Sequence, residues 1–80
     1  MDSYTFTTEH LVPEAFIGKI FVLKKHAYRI LNISKAWGES PVILGYIEVQ
    51  DEKGNVSELL MTCTCDFRTS IWEVTITFKP

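Results

Sequence analysis

The sequence predicts an all-β domain: a small antiparallel barrel of five or six strands with at most one short helical turn, near residues 13–17. Three observations lead there. Apolar and polar residues alternate with a period of two through most of the chain, most clearly where Trp72, Val74, Ile76 and Phe78 interleave with Glu73, Thr75 and Thr77. No segment sustains the three-to-four residue apolar spacing of an amphipathic helix. At 80 residues the chain can bury one thin core, and closing a sheet on itself hides the edges that would otherwise invite aggregation. A small two-sheet sandwich is the alternative architecture, and either way residues 1–80 form one domain.

Taken in order, Ser3 to Thr8 reads as a short opening strand. Val12 to Gly18 fits one helical turn, with Pro13 near its start and Gly18 after its end. Lys19 to Leu23 and Ala27 to Ile33 read as two strands joined by Lys24, Lys25 and His26, a join without glycine whose turn type the sequence leaves open. Ser34 to Pro41 reads as an irregular, polar, flexible join. Val42 to Gln50 is the next strand, with Ile43, Ile47 and Val49 inward and Val42, Leu44 and Tyr46 on the other face. Asp51 to Asn55, with Gly54 late in it, predicts a turn closed by a residue of positive φ; a calcium loop is disfavoured because Lys53 stands where an acidic ligand would be needed. Residues 56–78 read as a long hairpin reversed at Arg68, Thr69 and Ser70, with Leu59, Met61, Cys63, Cys65 and Phe67 on its inner parity. Short strands and tight turns in so small a chain point to an SH3-like or OB-like barrel.

The net charge of −2 hides an asymmetry. No acid occurs from Ala15 to Gly38, whereas Lys19, Lys24, Lys25, Arg29 and Lys35 are all basic; from Pro41 onward the sign reverses. A pI near 5.6 argues against a dedicated nucleic-acid binder. The N-terminus has no basic segment leading into an apolar one, so no secretory signal is expected, and the sequons at Asn32 and Asn55 then carry little weight. No run is apolar and long enough for a membrane helix. Two cysteines are too few for a disulfide framework and suit a reducing compartment, so a cytoplasmic location is expected.

Chemistry-bearing motifs are sparse. Cys63 and Cys65 would sit on one face of a strand about 6.6 Å apart, too far for a bridge that needs Cβ atoms about 3.8 Å apart. Their parity matches Leu59 and Met61, so core packing is expected over metal binding with His10 or His26, and over a thiolate nucleophile. No nucleophile elbow, phosphate-binding glycine loop or zinc-protease motif occurs, and Glu48, Asp51, Glu52 and Glu58 read as solvated hairpin charge. The sequence therefore predicts no enzyme, no cofactor and no metal site.

What remains is a binding module. Trp37 has no periodic reason to stand in a polar loop, and an exposed indole there is the composition of a protein-binding hot spot, unless it folds back as a lid over a barrel end. With the second apolar face of Val42 to Tyr46, it nominates Trp37, Leu44, Tyr46, Lys35 and Arg29 as a protein contact, and an exposed strand edge as a site for homodimers. By analogy of size, such a chain suits a phage or mobile-element inhibitor of a host protein. The alternative is a nucleic-acid binder using Lys19, Lys24, Lys25, Arg29 and Lys35, with Phe21, Tyr28 and Trp37 interleaved as stacking aromatics.

Overall fold

The computed structural model describes residues 2–80 and contains six strands: β1 (Ser3–Thr8), β2 (Ile20–Leu23), β3 (His26–Glu39), β4 (Val42–Asp51), β5 (Val56–Asp66) and β6 (Ile71–Thr77). All neighbours are antiparallel and the sheet order is β1-β6-β5-β4-β3-β2. Five strands thus form a meander, and β1 is carried round to lie beside β6. The outer strands β1 and β2 then approach each other through side chains, with Tyr4 stacked on Phe21 at 5.1 Å between ring centroids. The sheet is a nearly closed barrel, as the alternating pattern predicts.

Parity builds the interior. Ile47 and Val49 of β4, Leu59, Met61 and Cys63 of β5, and Val74 and Ile76 of β6 are buried, each two residues from the next on its own strand. Phe21, Leu23 and Ile30 close the other side. The segment between β1 and β2 carries one 3-10 turn, Pro13–Ala15, which delivers Phe16 into the core; its ring meets Phe6 edge-on at 5.6 Å. Pro13 suits the start of that turn because its missing N–H would be unpaired there in any case.

The turns explain the strand lengths. Asp51 Oδ1 accepts from the backbone N–H groups of Lys53 and Asn55, both at 2.9 Å, and Gly54 has φ of 86°, so the β4–β5 loop is the predicted turn. At the β2–β3 turn Lys24 and Lys25 take φ of 49° and 69°, the left-handed pair that a two-residue type I′ hairpin requires.

Two sequence expectations need correction. Ser34 to Pro41 is not an irregular loop: β3 continues to Glu39 and pairs with β4 up to Glu39 opposite Val42, leaving Ser40 and Pro41 as the turn. The cause lies in two bulges, at Leu31 and Ser34, which break the alternation without ending the strand. Phe67 does not continue the inner face of β5, because the strand ends at Asp66; the ring is 74% exposed in the β5–β6 turn.

Candidate functional site

The bulge at Ser34 decides what β3 shows to solvent. Ile33 packs against the core; one extra residue then resets the alternation, and Lys35, Trp37 and Glu39 face outward. Trp37 lies opposite Leu44, Lys35 opposite Tyr46, and Glu39 opposite Val42. The Trp37 and Tyr46 rings are 5.3 Å apart at 54°, on the diagonal of this strand pair. Trp37 remains 39% and Val42 44% exposed, while Leu44 and Tyr46 are half-buried.

Two lysines flank the aromatic pair. Lys35 Nζ stands 5.7 Å from the Trp37 ring centroid and Lys79 Nζ stands 4.6 Å from that of Tyr46. Lys79 is held by Glu58 at 3.0 Å, and the hydroxyl of Ser34, the bulge residue, donates to the other Glu58 oxygen at 2.7 Å. The Ser34 hydrogen bond, then Lys79, lower the pKa of Glu58 from its ordinary value, and the bond to Glu58 raises that of Lys79. The carboxylate therefore ties the bulge, β5 and the segment after β6 together beside Tyr46.

Gly45 brings the strands of this patch together. Its residue is buried, and a side chain there would meet the Lys35 carbonyl oxygen at 2.5 Å and Met61 Cε at 2.7 Å. Only a hydrogen at this position lets the Lys35–Ala36 backbone and the end of the Met61 side chain both lie so close to Gly45.

Among the residues nominated from sequence, Trp37, Leu44, Tyr46 and Lys35 occupy adjacent register positions. Arg29 does not join them: it lies opposite Gln50, four residues along β4 from Tyr46, or about 13 Å. It borders instead an open groove with Gln50, Asp51 and Glu52. Lys19 lies over the Phe6 ring at 4.5 Å, Lys24 over Phe78 at 5.2 Å and 3.8 Å from Asp2, and Lys25 is in the β2–β3 turn. Phe21 is buried and Tyr28 packs against the core between Phe21 and Phe78, which leaves Trp37 as the outward aromatic of that trio.

From sequence Glu58 reads only as solvated hairpin charge, and Lys79 was missed. Lys79 shares the outward parity of Thr75 and Thr77, but its meeting with Tyr46 depends on the β4–β5–β6 register, which alternation alone does not supply.

The cysteines are unpaired. Cys63 is buried and its thiol is pushed up to about 11 by desolvation, away from nucleophilic use at neutral pH. Cys65 is half-buried. His26 Nδ1 lies 3.1 Å from Glu52 on the surface. Among the described residues no three His, Cys, Asp or Glu side chains gather as a metal site would require, and no helix is long and apolar enough to cross a membrane. Compared with protein-family models, curated proteins and solved structures, the chain matches none.

Proposed function

We propose that this protein is a non-enzymatic protein-binding module whose contact is the outer face of the β3–β4 arm, with Trp37, Leu44, Tyr46 and Lys35 at its centre and Arg29 outside it. The observation that carries the reading is the uncovered Trp37–Tyr46 pair on a regular strand pair. A rigid, half-exposed aromatic anchor loses little conformational entropy on binding and offers a large apolar area, the composition of an interface hot spot. Its outward position argues against the lid role, since a lid would cover a barrel end. Lys35 and Lys79 beside the rings favour a partner surface that pairs apolar area with acidic groups. The reduced cysteines suit a cytoplasmic setting.

The nucleic-acid alternative has less in its favour, because Lys19, Lys24 and Lys35 lie over three different rings and two of its aromatics pack inward. One experiment separates the readings. Immobilised wild type and Trp37→Ala are exposed to extract from the source cell, and bound proteins are quantified by mass spectrometry. A partner retained by wild type and lost from a Trp37→Ala chain that still unfolds cooperatively supports the proposal. Equal retention by both overturns it. Binding of oligonucleotides with steep salt dependence, lost in Lys24→Ala/Lys25→Ala, would favour the alternative.

A further inference from the structure

The arm has a second property, carried by its backbone. β2 pairs with β3 only from His26 to Arg29, and Gly18 and Lys19 extend that cover to Ile30 through bonds of 2.8 and 2.9 Å. Beyond Ile30, among the described residues, the side of β3 away from β4 has no neighbouring strand. The bulges at Leu31 and Ser34 distort the first part of this edge, a device that ordinarily discourages strand addition. From Lys35 to Glu39 the pairing with β4 runs on without a further shift of register, with Gly38 at φ of 98°, and the turn at Ser40–Pro41 ends it. Among the described residues of β3, a five-residue template in unbroken register with β4 is left open on its other side, exposed throughout.

That template is complementary to itself. Laid antiparallel against a second copy so that all five residues are used, Trp37 faces Trp37, Lys35 faces Glu39 and Ala36 faces Gly38. Both charges fall on the outer face on either side of the indoles, and neither takes part in an ion pair of the monomer among the described residues. The small Ala36 and Gly38 leave the other face clear. The partner's turn then lies opposite Ser34 and Ile33, short of Ile30, where the covered edge begins. Any shift of register shortens the ladder and opposes the charges to neutral residues or to their own kind.

We infer that two copies of this chain join through Lys35–Glu39 of β3, antiparallel and centred on Trp37, into one sheet continuous across the two barrels. The ladder supplies the attraction and the two Lys35–Glu39 pairs fix the register. The inference deepens the protein-binding reading by naming a second copy as one partner of the arm.

Charge reversal tests it by sedimentation equilibrium on the whole chain. Wild type should move from a mass of 9.2 kDa toward twice that as concentration rises. Lys35→Glu alone or Glu39→Lys alone opposes like charges twice and should weaken the dimer roughly tenfold or more. The double variant Lys35→Glu/Glu39→Lys should restore it, and an equimolar mixture of the two single variants should form heterodimers. Both positions are exposed, and a thermal melt verifies that each variant is folded. A wild type that stays monomeric at about millimolar concentration overturns the inference, as do single variants that dimerise like wild type or a double variant that does not recover. Capture by the outer face, read at concentrations well below self-pairing, is unaffected by such a failure, so the two readings fall separately.

Discussion

Replacing Gly45 by alanine should destabilise the domain by about 1–2.5 kcal/mol, and the figure follows from the approach of β3 to β4. The new Cβ would stand 2.5 Å from the Lys35 carbonyl oxygen, 2.7 Å from Met61 Cε and 3.3 Å from Ala36 Cα. Met61 can turn its terminal methyl aside, although it is buried; the carbonyl belongs to the strand and cannot move without loosening the arm. Overpacking costs about 1–3 kcal/mol, the clash with a strand carbonyl places this site at about 2–3, and the lower chain entropy of unfolded alanine returns about 0.4–1. For a domain this small the midpoint of thermal unfolding should fall by roughly 5–15 °C. Urea unfolding followed by tryptophan fluorescence gives the same quantity as a shift in midpoint at unchanged slope. A Gly45→Ala chain as stable as wild type would refute the close approach, and with it the account of how Lys35 and Trp37 are positioned.

Two further expectations concern the turns and the carboxylates. Lys25→Gly should stabilise the protein by about 0.5–1 kcal/mol, because a lysine at φ of 69° bears a left-handed penalty that glycine escapes, less the entropy of the unfolded glycine; a lower melting midpoint would contradict this. Glu58→Gln should matter only above acid pH. A carboxyl whose folded-state pKa is depressed adds stability above its ordinary value of 4.5 and loses it as pH falls through the lower folded value, so wild type and variant should converge in acid. A stability difference that does not change with pH would show that Ser34 and Lys79 do not hold the charge.

The barrel was legible wherever a strand kept one parity from end to end. Val74 and Ile76 on β6, and Leu59, Met61 and Cys63 on β5, are buried as their alternation requires. The Asp51–Asn55 turn was equally plain, since aspartate and glycine each bring the bond or the φ that the turn needs. The arm was not. Without the bulge at Ser34, Ile33, Lys35 and Trp37 would share one face, a parity that makes no sense for a strand, and Gly38, Ser40 and Pro41 reinforce the impression of a loop. A bulge leaves no residue signature of its own, and here it moves Trp37 from loop to outer face. The Lys24–Lys25 turn was hidden for a related reason, because lysine gives no sign that its backbone will be left-handed. Of the residues nominated for contact, the excess apolar area of Trp37, Leu44 and Tyr46 and the charge of Lys35 are legible in the sequence, whereas their adjacent positions on the strand pair depend on the register. Arg29 was included by closeness in sequence, which the register between Gln50 and Tyr46 undoes.

The measurement that bears most directly on the proposed contact is a backbone hydrogen-exchange footprint of the chain with and without the partner that wild type captures. The account predicts slowed exchange across residues 35–37 and 44–46, with residues 20–25 unchanged. Protection confined to the exposed Ile20 and Val22 of β2 or to the Lys24–Lys25 turn, with the arm exchanging as before, would contradict it.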